Sequence, residues 1–333
     1  MDIDIVILWV DGADPAWRAQ KSAYLPPAER DSDSANRYRD WGLLPYWFRS
    51  VERFAPWVRR IHFVTWGHIP AFLNVDAPKL HVVRHDEFIP AEYLPTFSSH
   101  TIELNIHRIP DLAEHFIYFN DDMFLLRPLA ETDFFREGLP CTYGGEVPWE
   151  FCGDVGVWAH AAANNMGVIN RHFPKREAVK SHGAKYRDKT YRWKDNIRTL
   201  MLEKLFPDYF TGFKNLHAPA AYLKSTFEAV WQAEPALLHS TCSHKFRSPS
   251  DVNQWVCLWW QAASGNFAPY KTDNLVMSAS AETIDALCGA IEKQTNAMAC
   301  INDPEGDVDV EKLAERLRWS FEKRLPGKSM FEK

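Results

Sequence analysis

Short apolar runs alternate with helical patterns through the first 120 residues, and this alternation constrains the fold more than any other feature of the chain. Runs of strand length lie at 3–10, 61–66, 80–83 and 116–119. Amphipathic patterns at 38–54 and 98–113 predict helices between these runs. Strands separated by helices predict an α/β fold with a mostly parallel, Rossmann-like sheet.

The pattern becomes helical after about residue 155. Apolar residues recur at helical spacing in four groups, which are Ile197, Leu200, Met201 and Leu205; Val252, Trp255, Val256 and Trp259; Ile284, Leu287, Cys288 and Ile291; and Val310, Leu313, Ala314, Leu317 and Phe321. We therefore expect an α/β half over residues 1–150. A helical half over residues 151–333 packs against it, and the two form one unit with a site between them.

Composition excludes several classes of protein. A formal net charge of −6 argues against a general nucleic-acid binder. No apolar run reaches the roughly 20 residues of a membrane span, and Asp2 and Asp4 stand where a signal peptide carries basic residues. These features predict a cytosolic protein and leave peripheral association with the inner face of the plasma membrane open.

Two residue types add to this. The six cysteines form no C-x-x-C pair, which predicts reduced thiols rather than a zinc knuckle. The 14 tryptophans are mostly expected in the core, but indole faces also stack on sugars and mildly favour a carbohydrate ligand. The polar stretch 26–36 is expected to be mobile.

Acidic clusters follow two of the predicted strands. Asn120, Asp121 and Asp122 come directly after the run at 116–119, and Asp11 and Asp14 follow the first run. Ligands of open α/β sheets bind beyond the carboxyl ends of the strands, and hard cations prefer carboxylate oxygens. Turn formation is the alternative, because Asp, Asn and Gly also favour turns.

A basic segment offers a candidate anion site. His244, Lys245 and Arg247 precede Ser248, Pro249 and Asp251, a pattern typical of a helix N-terminus with a capping box. Such an end binds anions, and Arg247 is able to brace a diphosphate. A solvated basic turn is the alternative.

Isolated residues carry weaker signals. His217 precedes Ala218 and Pro219 at the predicted entry to a helix near Ala220, where it could act as a general acid or base or be structural. Ser99, Glu103 and His107 share one helix face, which leaves a buried polar network and a solvated face both open.

Four regions of the chain, in this order, resemble the four signature regions of the Stealth family. They are 4–15 (DIVILWVDGADP); 98–103 (SSHTIE) with 116–122 (FIYFNDD); 217–219 (HAP) with 246–251 (FRSPSD); and 300–303 (CIND) with 326–333 (PGKSMFEK). The family includes bacterial capsular polysaccharide phosphotransferases and the catalytic part of animal GlcNAc-1-phosphotransferase. Its members transfer a hexose-1-phosphate from a UDP-sugar and release UMP.

The resemblance implies a GT-A-like fold and a set of site residues. Asp121, Asp122, His217 and Arg247 are the implied catalytic residues. Asp11, Gly12, Asn120, Lys245 and Arg247 are the implied donor-binding residues; Asp11, Asp121 and Asp122 would hold Mg²⁺ or Mn²⁺. Asn302 and Asp303 match the fourth region.

The implied partners are a UDP-hexose, most of all UDP-GlcNAc, and a polysaccharide or lipid-linked glycan. Two alternatives stay open. One is a GT-A-type glycosyltransferase that releases UDP, and the other is a carbohydrate-binding protein without activity. The division of roles between base and metal ligand also stays open.

Overall fold

A computed structural model describes residues 1–25, 40–150, 156–304 and 308–333. The gaps between these ranges contain or adjoin three features of the sequence, which are Cys152, the polar stretch predicted at 26–36 and the boundary expected near residue 150. The strands are β1 (Ile3–Leu8), β2 (Arg60–Thr65), β3 (Leu80–Arg84), β4 (His115–Phe119), β5 (Met123–Leu125), β6 (Phe135–Arg136), β7 (Leu139–Thr142), β8 (Ala220–Leu223), β9 (Ala268–Pro269), β10 (Asn274–Ser278) and β11 (Met298–Asn302). The helices are α1 (Pro15–Tyr24), α2 (Leu44–Phe54), α3 (His85–Phe88), α4 (Ser99–Asn105), α5 (Val157–His172), α6 (Lys175–Tyr186), α7 (Trp193–Leu205), α8 (Lys224–Ala233), α9 (Pro235–Ser243), α10 (Trp255–Ala263), α11 (Ile284–Lys293) and α12 (Val310–Arg324).

The central sheet confirms the predicted α/β fold. Its strand order is β3-β2-β1-β4-β8, and β3, β2, β1 and β4 are parallel to one another. The order of the four parallel strands is that of a Rossmann-like half. Strand β8 pairs antiparallel with β4 and closes the edge of the sheet.

Strand β1 is buried on both faces, which explains why its sequence is continuously apolar rather than alternating. Ile5 and Ile7 face a core that includes Trp47 of α2. Val6 faces the opposite core, which includes Val256 of α10. Helices therefore cover both faces of the sheet, and its carboxyl edge is left for a site.

The second half of the chain is less purely helical than expected. Strand β8 joins the central sheet, and β10 and β11 form a second sheet with β5. In this second sheet β11 runs parallel to β10 and antiparallel to β5. A third sheet, of order β6-β7-β9, pairs β7 of the first half with β9 of the second. The two halves thus share all three sheets, so the site lies between interleaved segments.

Helix boundaries differ from the expectations at several points. The pattern at 38–54 gives a helix only from Leu44, and the pattern at 98–113 gives α4 followed by a short 3₁₀ turn at Ile106–Arg108. The helix expected near Ala220 is wrong, because Ala220–Leu223 is strand β8 and α8 begins at Lys224. Its pairing with β4 is a long-range interaction that no local pattern indicates.

The helix start predicted at Ser248 is also wrong. Ser248 and Asp251 close a turn in which the Asp251 amide donates to the Ser248 carbonyl at 3.0 Å, and α10 begins only at Trp255. The Asp251 carboxylate accepts from the Ser248 amide at 2.7 Å and contacts His100 and His244. Contacts with these histidines hold the carboxylate in the turn. The basic residues at 244–247 therefore do not lie at a helix N-terminus.

Candidate active site

The two acidic loops of the sequence leave neighbouring strands at the carboxyl edge of the central sheet. Ile7 of β1 pairs with Phe119 of β4, so the residues that follow each strand meet at this edge. Trp9 and Val10 come from the β1 side, and Asp121 and Asp122 from the β4 side, all lining one cavity. The structure therefore places Asp121 and Asp122 where the rule for open α/β sheets predicts a ligand.

The second sheet holds Asp122 in position. The Ile301 amide of β11 donates to the Asp122 carbonyl at 2.9 Å. The Cys300 thiol lies 3.3 Å from Asp122 Oδ2, and His217 Nε2 lies 3.8 Å from the same oxygen. Burial and the Asp122 carboxylate raise the pKa of the Cys300 thiol, so this thiol stays protonated and acts as a hydrogen-bond donor.

The acidic cluster has the chemistry of a site for a hard cation. Within the described ranges, the buried Oδ1 atom of Asp122 has no hydrogen-bond partner. Asp40, Asp121 and Asp303 line the same small cavity as Asp122. Desolvation, together with the negative charges of Asp122, Asp303 and Asp40, raises the pKa of the Asp121 carboxyl group to about 7. The Asp121 side chain nevertheless faces cavity solvent, so a cation could reach it.

Oxygen donors of this kind fit Mg²⁺ or Mn²⁺. The Asp122 carboxylate, the His217 imidazole and the Cys300 thiol also lie within 4.8 Å of one another, a set that softer metals accept. Because the Cys300 thiol is protonated, the carboxylates make the hard-cation fit the better one.

His217 is held in an unusual backbone conformation. Its φ of 43° lies in the left-handed region, which a residue other than glycine adopts only when its surroundings impose it. Its amide donates to Asn215 Oδ1 at 3.0 Å, and its carbonyl accepts from Asn274 Nδ2 at 2.9 Å. These two asparagines aim the imidazole at Asp122, from a loop before β8 rather than from a helix.

Arg247 reaches the site without the helix end that the sequence predicted. Its Nη2 donates to Ser99 Oγ at 2.7 Å, and its side chain is exposed to the cavities. Behind it, the Tyr118 hydroxyl lies 3.0 Å from Glu103 Oε1 and 2.7 Å from Asn120 Oδ1. Burial raises the pKa of Glu103. The face of α4 with Ser99 and Glu103 is therefore a buried polar network beside Arg247.

Three predicted donor-binding residues are not brought into the cavities. Asp11 Oδ1 accepts from the Ala13 amide at 2.8 Å, and the Gly12 carbonyl accepts from Arg18 Nε. Lys245 Nζ donates to the carbonyls of Tyr93 and Leu94 at 3.1 Å. The loop at 11–14 therefore forms a turn with the local bonds that its residue types favour, whereas Lys245 is held by carbonyls of a segment distant in the sequence.

The Asp14 carboxylate also bonds to backbone amides close to it in the sequence. Its Oδ1 accepts from the amides of Ala16 and Trp17 at 2.8 and 2.9 Å, so it caps α1. The turn alternative describes this loop, and the predicted metal role of Asp11 has no counterpart in the cluster around Asp122.

Two large cavities meet at the site. The cavity on the β1 side has a volume of about 560 Å³ and is lined by residues including Trp9, Trp17, Lys21, Asp121 and Asp122. The cavity on the His217 side has a volume of about 540 Å³ and is lined by residues including Trp149, Trp158, Lys214, His217 and Trp255. They share a wall formed by Ser99, Glu103, Tyr118, Asn120 and Arg247. Cavities of this size hold small ligands.

Some site residues carry no strong signal in the sequence. Lys21 lines the β1-side cavity although it is buried at 4% exposure, and it lies over the Trp17 ring at 5.2 Å. Asn274 lies on β10 and holds His217 through a hydrogen bond to its carbonyl. Lys21 could have been suspected from its place on the helix after the first acidic loop, whereas Asn274 shows only in three dimensions.

The fold and site define an α/β protein with an acidic cleft at the carboxyl edge of its parallel sheet, flanked by a histidine and an arginine. Residues 1–26 match Stealth protein conserved region 1, and residues 37–141 match conserved region 2.

Relatives match over nearly the whole length. A capsular polysaccharide phosphotransferase, WcwK, of Streptococcus pneumoniae is 38% identical over 100% of this chain and 99% of its own. A receptor polysaccharide phosphotransferase, WefC, of Streptococcus gordonii is 38% identical over 99% and 98%. An exopolysaccharide phosphotransferase of Lactiplantibacillus plantarum is 35% identical over 100% and 96%. The chain belongs to the Stealth family, as its four sequence regions predicted.

These relatives are named as polysaccharide phosphotransferases, and they support a transferase. A solved structure of the galactosyltransferase LgtC with donor and acceptor sugar analogues covers 95% of each chain, with 11% identity and a TM-score of 0.36. Among the described helices, each is too short or too polar to cross a bilayer.

Proposed function

We propose that this chain transfers a hexose-1-phosphate, GlcNAc-1-phosphate above all, from its UDP ester to a glycan hydroxyl. The products are a phosphodiester and UMP. The observation that carries the proposal is the position of Asp122, which lines the β1-side cavity while its carboxylate lies 3.8 Å from His217 of the other cavity. A phosphorus atom placed between the cavities would be within reach of a donor bound in one cavity and an acceptor bound in the other.

The β1-side cavity suits the nucleotide half of the donor. The rings of Phe97 and Phe246 stack with their centroids 5.4 Å apart, and Trp17 and Phe97 pack edge-to-face. These aromatic rings offer a surface for a flat base, while Arg247 on the shared wall can pair bidentately with diphosphate oxygens. The donor diphosphate would thus point at Asp121 and Asp122.

The His217-side cavity suits the acceptor glycan. Trp149, Trp158 and Trp255 line it, and indole faces pack on the apolar faces of sugar rings. Lys214 lies on its rim as a hydrogen-bond donor for hydroxyls. An acceptor bound here would bring its hydroxyl next to His217.

Asp121 and Asp122, with Asp303 beside them, are the residues that would hold Mg²⁺ or Mn²⁺. When bound, the cation would supply positive charge next to the diphosphate. Arg247 contributes charge from the shared wall. Charge stabilisation and positioning are the main tasks in phosphoryl transfer, so a site rich in charges and poor in nucleophiles suits this reaction.

The proposed transfer step is a displacement at the β-phosphorus of the donor. The acceptor oxygen forms a bond to the β-phosphorus, and the bond from that phosphorus to the oxygen of the α-phosphate breaks, so that UMP leaves with the electron pair. His217 Nε2 takes the hydroxyl proton, and the Asp122 carboxylate at 3.8 Å stabilises the resulting imidazolium. Asn274 and Asn215 hold the ring for this transfer.

The partners follow from this chemistry. They are a UDP-hexose and a polysaccharide or a lipid-linked glycan, and the proposed location of the reaction is the cytoplasm, at the inner face of the plasma membrane. The relatives named as capsular and exopolysaccharide phosphotransferases support the same role in polysaccharide synthesis.

A labelled donor tests the proposal. UDP-GlcNAc carrying radiophosphorus at the β-position would be incubated with the protein, Mg²⁺ and a candidate glycan, with His217→Gln and the distant His239→Gln as matched variants. We expect label in the glycan for wild type and His239→Gln and its loss for His217→Gln. Label that stays in the nucleotide while sugar enters the glycan would replace the proposal with glycosyl transfer. Unchanged donor under all metal conditions would favour the binding-protein alternative.

A further inference from the structure

Helix α7 turns its apolar face outward. Its large apolar side chains lie on one side and continue into the next segment, and we call this set the α7 face: Trp193, Ile197, Leu200, Met201, Leu205, Phe206 and Tyr209. Trp193 is 68% exposed and Leu205 is 65% exposed. The side of the helix that packs inward carries Thr199 and Leu202. The spacing predicted from the sequence is confirmed, but the face lies in solvent.

This orientation is the reverse of that in α12. There Leu313, Leu317 and Phe321 are buried and the charged residues face outward. Among the described residues, fifteen large apolar side chains are exposed, and seven of them belong to the α7 face. Such clustering marks an interaction surface, whereas single exposed apolar residues are ordinary.

Positive charge surrounds the α7 face. Residues 175–214 contain eleven Lys or Arg and five Asp or Glu, which gives +6 in a chain whose formal net charge is −6. One of the eleven, Lys175, is buried and paired with Glu146, so the charge available at the surface of this segment is +5. Three of the acids are already paired, in the ion pairs Arg198–Asp195, Arg187–Glu203 and Arg176–Asp208. The exposed residues Lys189, Arg192, Lys194 and Lys204 have no carboxylate at ion-pair distance within the described ranges.

An apolar strip rimmed by unpaired cations fits an anionic lipid bilayer. Amphipathic helices with this arrangement lie in the interface, with the apolar side among the acyl chains and the cations at the headgroups. Each Lys or Arg near an anionic membrane adds to binding. A second copy of this chain fits less well, because a symmetric contact would bring two faces of the same positive charge together.

We propose that the α7 face docks on the surface of a membrane that contains anionic lipid. The surface is also close to the site. Tyr209 at the end of the α7 face and Lys214 on the rim of the His217-side cavity are five residues apart in the chain. Five residues span at most about 17 Å. The docked protein therefore presents this cavity near the headgroups, where a lipid-linked glycan is anchored. This last step rests on the proposed function, whereas the docking does not.

Vesicle binding by the full-length protein tests the docking. Sedimentation would be measured with vesicles of phosphatidylcholine alone and with vesicles that also contain phosphatidylglycerol. We expect binding only with the anionic lipid, weakened by high salt. Lys194→Ala with Lys204→Ala should weaken it about 25-fold, at about fivefold for each cation. Leu205→Ser should weaken it about tenfold or more by removing buried apolar area.

Matched controls lie on α12, away from the α7 face. Trp319 is 61% exposed and Lys312 is exposed, so Trp319→Ala and Lys312→Ala change comparable side chains elsewhere. We expect both to bind like wild type, and thermal unfolding would show that every variant is folded. Equal binding by all variants, or none by wild type, would overturn the proposal. A dimer in light scattering that Leu205→Ser disperses, without vesicle binding, would assign the face to a second copy instead.

Because this assay uses no substrate, it can fail while the transferase reaction stands. Phosphodiester formation without vesicle binding would leave the proposed function intact and remove the docking. Vesicle binding without donor turnover would do the reverse.

Discussion

Asp4 lies on β1, the strand that leads to the site, and its carboxylate bonds to neighbouring segments of the sheet. Replacing it with asparagine should lower the free energy of unfolding measurably. The carboxylate is fully buried and accepts from Arg59 Nε at 2.8 Å and from Arg59 Nη2 at 2.6 Å. It also accepts from the Ala113 amide at 2.8 Å and contacts His62 Nε2 at 3.0 Å. These bonds join β1 to β2 and to the loop before β4.

The magnitude follows from the pKa of this carboxyl group. Burial alone would raise the pKa of Asp4, but the hydrogen bonds from His62, Arg59 and the Ala113 amide lower it from 3.8 to about 2. That difference corresponds to about 2.4 kcal/mol of unfolding free energy. Because the folded-state pKa is the lower one, this stability is fully present above about pH 5 and is lost as the pH falls through about 4 towards 2.

Urea unfolding at several pH values measures this effect. We expect Asp4→Asn to lose about 2–3 kcal/mol at neutral pH, and the gap from wild type should shrink towards pH 3. The exposed Asp76 provides the control, and Asp76→Asn should unfold like wild type at each pH. A gap below about 0.5 kcal/mol at neutral pH, or one that widens on acidification, would refute the reasoning.

Three further variants test the site. Asp122→Asn should lower turnover by about two orders of magnitude or more and weaken Mg²⁺ binding in calorimetry, because the unpartnered Oδ1 loses its charge. Unchanged metal binding would remove Asp122 from the cation site. Arg247→Lys should raise KM for the donor and lower kcat, because a lysine cannot pair bidentately with the diphosphate; wild-type kinetics would show that Arg247 only holds Ser99. Asn274→Ala should lower kcat about tenfold or more with little change in donor affinity, because it frees the His217 loop; a loss of donor affinity alone would contradict this positioning role.

The parallel sheet could be predicted because its strands are short apolar runs that end in turn residues. The Asp triplet could be placed for the same reason, since a residue that follows a buried parallel strand lies at the carboxyl edge. Asp121 and Asp122 therefore reach the predicted edge, although the sequence alone left their role open.

The remaining errors share a physical cause, which is that long-range contacts override local patterns. Ala220–Leu223 pairs with β4 as a strand although a helix was expected. The capping pattern at Ser248 forms only a turn because His100 and His244 bind the Asp251 carboxylate. The outward orientation of α7 could not be read from spacing either, since spacing identifies an apolar face but not its neighbour.

The nucleotide that is released provides the most direct test of the central claim. The protein would be incubated with UDP-GlcNAc, Mg²⁺ and an oligosaccharide acceptor, with and without a chelator, and UMP would be separated from UDP. Phosphate transfer predicts UMP that disappears with the chelator, together with a phosphodiester-linked product. Release of UDP would mean attack at the sugar carbon and would contradict the account.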